Sequence, residues 1–256
     1  MREGRRSWEQ RATDSETCLS GVLFQGLSEH ANSLLDDWHA WIVREVLLPT
    51  LPPNATVLDF GCGYGRLSAV ITRARPDLRV VGQDLALPYC KLFAQSCGPC
   101  VLADATQPPF LPASMDCIVA VTSLMYVPRD RIAGTLANLH AILRPDGVIL
   151  AVDPGLELQT LIARLRGGGR PSPTGGMGFG RIEYLHCLEQ SGFSICEKGG
   201  NPYLSLPLLI PGVAKGRSAL VAAGLARLAG MDHGKSGYAR HALHRWTLAR
   251  RREAST

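Results

Sequence analysis

The sequence predicts an α/β protein: a doubly wound, mostly parallel seven-stranded sheet with an N-terminal helical cap and a helical insertion before the last strand. Three observations carry this. Short apolar runs alternate with helical stretches from residue 56 onward, and the first run ends in a glycine-rich turn. A chain of 256 residues, 46% hydrophobic and 19% charged, is large and apolar enough for one sizeable core. The expected organisation is a cap over 1–50 and a sheet domain over 51–256, with insertions at about 154–180 and 201–243.

In chain order, residues 1–11 are charged and lack the apolar stretch of a secretory signal. Leu34, Leu35, Trp38, Trp41, Ile42, Val46 and Leu47 recur at spacings of three and four, which predicts an amphipathic helix ending at Pro49. Pro49, Pro52 and Pro53 make a stiff connector into a strand at 56–60. The alternation that follows is helix 66–75, strand 79–83, helix 88–96, strand 101–103, strand 117–122, helix 129–143, a turn at 144–147 and strand 148–152. Strands spaced this way are joined by right-handed crossovers into a parallel sheet. Residues 167–180 are too rich in glycine and proline for helix or strand and read as a loop. A helix at 181–191, ended by Gly192, leads to a strand at 193–197, an apolar insertion and a last strand at 246–249.

Charge and cysteine usage exclude several classes. The formal net charge is +5, but Arg2, Arg5, Arg6, Arg11, Arg245, Arg250, Arg251 and Arg252 lie near the two ends and read as solvated tails, not as a nucleic-acid stripe. Arginine far outnumbers lysine and Ala and Gly abound, the signature of a GC-rich, bacterial coding sequence. The longest apolar stretch, 203–214, is broken by Pro207 and Pro211, well short of the roughly 20 residues that span a bilayer. A cytoplasmic location is expected. The eight cysteines then act mainly as small hydrophobes. Cys97-Gly98-Pro99-Cys100 has the letters of a redox motif but follows a helix and precedes a strand, so no helix amino terminus activates it.

The chemistry concentrates after the first strand. Asp59-Phe60-Gly61-Cys62-Gly63-Tyr64-Gly65 brings backbone close to a ligand and turns a helix amino terminus toward it. A dinucleotide fingerprint needs a third glycine where Arg66 stands. The spacing is instead similar to the first motif of class I S-adenosylmethionine-dependent methyltransferases. Asp84, Asp104, Pro109-Phe110 with Asp116, and Leu143-Arg144-Pro145-Asp146-Gly147 follow in that family's order, over roughly residues 55–200. The resemblance implies S-adenosylmethionine as cofactor. Asp59, Gly61, Cys62, Gly63 and Gly65 would hold its methionine part, Asp84 with Leu85 its ribose, and Asp104 with Ala105 its adenine, with Thr122 closing the site from the fourth strand.

No metal is expected, because only Asp153 stands where a metal-dependent site would need an Asp and Asn cluster. Asn201-Pro202-Tyr203 has the letters of an amino-methylating motif but lies far from the fourth strand, where the chain reads Thr122-Ser123-Leu124-Met125-Tyr126. Methyl transfer needs in-line positioning and, for hydroxyl acceptors, proton removal. Tyr126, Asp153 and His39 are the candidates for catalysis, with His30 and His244 behind them. The expected acceptor is a small molecule methylated on oxygen or nitrogen: a sugar, a natural-product intermediate or an envelope glycan. A non-catalytic cofactor-binding subunit and an RNA or protein methyltransferase stand as alternatives.

Overall fold

The structure, a computed structural model, describes residues 2–15, 17–25, 27–165, 175–208, 210, 213, 219–233 and 237–252. Its strands are β1 (Thr56–Phe60), β2 (Arg79–Asp84), β3 (Cys100–Leu102), β4 (Met115–Val121), β5 (Leu143–Pro154), β6 (Phe193–Gly200) and β7 (His244–Arg251), in the sheet order β3-β2-β1-β4-β5-β7-β6. The first five are parallel, and β7 runs antiparallel to both β5 and β6. The helices are α1 (Arg2–Ser15), α2 (Leu19–Val22), α3 (Glu29–Trp41), α4 (Arg66–Ala74), α5 (Leu87–Ser96), α6 (Ile132–Ile142), α7 (Leu156–Leu165), α8 (Arg181–Gln190), α9 (Pro202–Leu208) and α10 (Ala219–Met231).

The strands are apolar throughout because both faces are covered, and alternate residues serve opposite cores. Val57, Val119 and Leu150 join Leu35 and Trp38 of α3, Leu67 and Ile71 of α4, and Leu225 of α10. Their chain neighbours Leu58, Ile118 and Ile149 join Leu136 and Leu139 of α6 and Leu188 of α8 on the other face. Strand order reverses at β1, flanked by β2 and β4, so a crevice opens at the carboxyl ends of these strands.

Some details depart from expectation for identifiable reasons. The helix predicted to run to Pro49 is α-helical to Trp41, then a π-turn over Ile42–Leu47 and a 3-10 turn over Leu48–Thr50, tightening where proline removes a donor. The predicted turn at 144–147 lies inside β5, as a bulge between the Met115–Leu143 and Cys117–Val148 pairs with Asp146 at φ 63°. Among the terminal arginines, Arg5, Arg6, Arg250 and Arg252 are exposed as expected, but Arg11 and Arg245 are not. The buried Arg11 donates to the carbonyls of Ser20 (2.7 Å) and Leu23 (2.6 Å). Arg245, its side chain only 1% exposed, pairs with Glu157 at 2.8 Å and donates to the Phe179 carbonyl. Both use long apolar stems to pass through packed surface, which charge counting does not register. Of the expected loop at 167–180, residues 167–174 lie outside the described residues; Met177 donates its amide to the Met125 carbonyl at 3.0 Å. Among the described residues no helix is long and apolar enough to cross a membrane.

Candidate active site

The crevice is built from the end of β1 outward. Gly61 and Gly63 have φ of 73° and 55°, and a Cβ at Gly61 would lie 2.6 Å from that of Ser123, so the turn requires glycine there. The amides of Gly61 and Cys62 donate to the Gln83 carbonyl at 2.8 and 3.0 Å, folding the loop over the end of β2. The Gly63 amide donates to Asp84 Oδ2 at 2.9 Å. Helix α4 then starts at Arg66 with its amino terminus beside the loop.

These elements wall a cavity of about 240 Å³. Asp59, Gly61, Cys62, Gly63, Asp84, Leu85, Asp104, Ala105 and Thr122 all border it. Gly65 does not: it caps α4 from behind, against Cys97 and Phe93. Asp59 accepts a hydrogen bond from the Ser68 hydroxyl at 2.6 Å, and burial lifts its pKa to about 6 against the pull of that bond. Asp84 is held at both oxygens, by the amides of Gly63 and, at 2.8 Å, Ala86; burial raises its pKa while these amides oppose the rise. Asp104 Oδ1 accepts from the amide and the hydroxyl of Thr106, both at 2.8 Å. Thr122 sits at φ 54°, a strained value for a β-branched residue, and its amide donates a hydrogen bond to the Val152 carbonyl at 2.6 Å.

The three candidates for catalysis separate. Tyr126 borders the cavity from a 3-10 turn over Leu124–Tyr126, with the Trp8 ring edge-on at 4.9 Å. Asp153 does not reach the cavity. It lies buried under that turn, accepting from the Met125 amide (3.0 Å) and the Tyr184 hydroxyl (2.6 Å), with burial raising its pKa to about 7. His39 does not cap the cavity either. It is buried between α4 and β7, its Nε2 2.9 Å from His244 Nδ1 and its Nδ1 3.2 Å from Arg66 Nη2, and burial drives its pKa well down. Arg66 stands at the cavity in its place, because helical phase turns His39 toward the sheet. His30 lies away from the cavity, its Nε2 3.3 Å from the Ala222 carbonyl.

On sequence alone Trp8 reads as core at least as readily as lid; in the structure α1, which carries it, supplies a wall of the cavity. Gly4 and Trp8 border the cavity, and the Tyr89 hydroxyl ties α5 to the Gly21 carbonyl at 3.0 Å. A tryptophan at helical spacing from the apolar Ala12 was the available signal. Arg66 and Arg131 were missed as cavity residues, the first read only as a glycine that was not there.

The thiols near the loop are packing groups. Gly82 lacks a side chain in the middle of β2, and the space is filled by Cys62 Sγ, 2.8 Å from where a Cβ would stand, and by Phe93. Cys62 Sγ thereby comes within 3.7 Å of Cys100 Sγ, and burial pushes its pKa up to about 12. Cys97 and Cys100 are both free, and Cys97 Sγ contacts the Gly65 carbonyl at 3.5 Å. Asn201 accepts the His244 amide at 2.8 Å, so the Asn-Pro-Tyr segment anchors the insertion to the sheet. Among the described residues, no three or more His, Cys, Asp or Glu side chains converge as a metal site would need.

This architecture, a seven-stranded sheet with β7 antiparallel and a glycine loop after β1, is the class I methyltransferase fold. Residues 57–147 match the family described as "Methyltransferase domain". That match spans about a third of the chain, from β1 through β4 to the start of β5. Among curated proteins it is similar to the cyclopropane mycolic acid synthase MmaA2 of Mycobacterium tuberculosis, 34% identical over 135 residues that cover 44% of this chain and 45% of that protein. The chain thus spans less than half the length of that relative. Among solved structures it is similar to a chain of the Haloferax volcanii Trm112 methyltransferase activator complex, with TM-score 0.63, 14% identity and coverage of 96% and 98%. It is also similar to magnesium protoporphyrin IX methyltransferase of Synechocystis PCC 6803, with TM-score 0.62, 17% identity and coverage of 96% and 97%.

Proposed function

We propose that the chain transfers the methyl group of S-adenosylmethionine to an oxygen or nitrogen of a small-molecule acceptor. The observation that carries this reading is one cavity that joins the glycine loop, Asp84 and Asp104 to Tyr126, under the cover of Trp8. The residues suit the cofactor. Asp84 is a buried-side carboxylate with both oxygens oriented by amides, an acceptor for a pair of ribose hydroxyls. Three carboxylates against two guanidiniums on the cavity wall favour a ligand bearing positive charge. When bound, S-adenosylmethionine supplies an electrophilic methyl on a sulfonium.

What remains for the protein is placement. The loop and Asp59 orient the methionine end, while Asp104 and Ala105 border the adenine end. Tyr126 and Trp8 flank the remaining space, and α1 limits the access of water. Tyr126 is the hydroxyl positioned to hydrogen-bond an acceptor and orient it; Asp153 contributes by pinning the turn that carries it. Buried Arg11 and Arg245 leave less of the formal +5 charge for phosphates.

The test is calorimetric titration with S-adenosylmethionine and S-adenosylhomocysteine, followed by mass spectrometry of pooled small acceptors. A mass gain of one methyl on a small molecule is expected. Cofactor binding without turnover on any acceptor would leave a non-catalytic subunit, and methylation of RNA or protein alone would overturn the acceptor class.

A further inference from the structure

Helix α10 reads ALVAAGLARLAGM, a stretch in which Arg227 is the one polar side chain. A helix apolar on every side is expected to be enclosed. Among the described residues, α10 is enclosed on one side. Leu225 and Ala229 join Trp38 of α3 in the core. The two helices are also tied at both ends: His30 Nε2 lies 3.3 Å from the Ala222 carbonyl, and His233, just past α10, stacks on Trp41 at 5.3 Å.

The other side is open. Positions 220, 224, 227 and 231 recur at spacings of four and three and so share one face. Leu220 is 86% exposed and Met231 51%, and Arg227 is exposed between them. A Cβ at Gly224 or Gly230 would meet nothing within 4 Å among the described residues. Tyr203, 40% exposed, stands at the same end as Met231, because the Asp232 carboxylate accepts the amides of Tyr203 and Leu204 at 3.1 and 2.8 Å.

Charge on this insertion has one sign. From Lys198 to Met231 the sequence carries Lys198, Lys215, Arg217 and Arg227 and no acid, and Asp232 is buried. The exposed acids Glu29 and Asp37 belong to α3, which packs on the opposite side of α10. A second copy of the chain fits this face poorly. Arg227 is near the middle of the exposed row, so a two-fold contact would set it against its own counterpart. One helix face is also small against the roughly 800 Å² per partner of a stable protein interface. Neither objection applies to a lipid surface, which takes up apolar side chains among its headgroups and, when anionic, attracts arginine. Tyrosine suits the same boundary, with an apolar ring and a polar tip.

We propose that the exposed face of α10 docks the protein on an anionic lipid surface, with Leu220 and Met231 entering the headgroup layer and Arg227 meeting lipid phosphates. The docking stands apart from the cofactor reading and gives the protein access to acceptors held in that surface.

The test is sedimentation of the full chain with vesicles of phosphatidylcholine alone and of equal parts phosphatidylcholine and phosphatidylglycerol, at low and high salt. The mixed vesicles should carry the protein down, phosphatidylcholine should bind it at least about tenfold more weakly, and salt should release it. Arg227→Gln should lose about fivefold in affinity, the contribution of one basic residue at such a surface. Leu220→Asp combined with Met231→Asp should lose more than about tenfold. Ile182→Asp, at an exposed residue of α8, should bind as the parent does.

Absence of sedimentation with mixed vesicles overturns the proposal, as does equal binding to the two kinds of vesicle. Normal binding by the double variant, or an equal loss in Ile182→Asp, overturns it as well. A dimer in analytical ultracentrifugation that the double variant converts to monomer would give the face to a second copy instead. Should circular dichroism show the double variant unfolded, Arg227→Gln and the salt series still decide.

Discussion

Asp84 owes its orientation to two backbone amides, those of Gly63 and Ala86, so its carboxylate is fixed before any ligand arrives. Asp84→Ala should weaken S-adenosylmethionine binding by about 1–3 kcal/mol, measured by calorimetry. This position and Asp104 were legible in the sequence because each stands at or just past the carboxyl end of a strand, which has a fixed relation to the crevice. His39 and Asp153 were not legible in role. Whether a side chain at a helix or strand position meets the cavity or the core depends on packing partners far away in sequence, here His244 and Tyr184.

Asp153 also leaves a signature in pH. Its pKa rises on folding, from 3.8 to about 7, so its contribution to stability is full below 3.8 and is lost as pH rises toward 7. Buried His244 runs the other way: with its pKa lowered from 6.5 to about 3, its contribution is full above 6.5 and is lost as pH falls toward 3. The two trends oppose each other across mildly acidic pH. Asp153→Asn should therefore gain stability relative to the parent as pH rises from about 4 to 7, in denaturant melts taken at each pH.

At the scale of elements, α1 connects a charged amino-terminal sequence to the cavity. Trp8 borders the cavity, Arg11 stacks over Trp8 at 5.0 Å, and the same guanidinium clasps two carbonyls of the following segment. Trp8→Ala should speed cofactor dissociation about tenfold in stopped-flow exchange, a change worth ~1.4 kcal/mol, with the melting transition little altered. The periodic helices and apolar strands were readable because periodicity is a local property. The covering role of α1 was not, since its mean charge resembles that of a tail and only tertiary placement gives Trp8 and Arg11 their meaning.

For the whole molecule, the parallel β1–β5 half follows from alternating strands and helices. The β7 and β6 half depends on residues distant in sequence. Arg245 joins them: from β7 it reaches Glu157 at the start of α7 and the carbonyl of Phe179 ahead of α8. Removing one side of a buried ion pair leaves the other without its counter-charge, and Arg245→Ala should cost about 3 kcal/mol in urea unfolding. A loss of only a few tenths would show that this junction contributes little to the fold's cooperativity.

The placement of aromatic rings has a practical consequence. Of the four tryptophans, Trp38 and Trp246 are buried in the core, Trp41 stacks on His233 at 5.3 Å, and Trp8 alone among them borders the cavity. Ligand entry changes the polarity around that one indole and leaves the other three as a constant background. The protein thus carries an intrinsic optical gauge of its own occupancy, with Trp8→Phe as the blank.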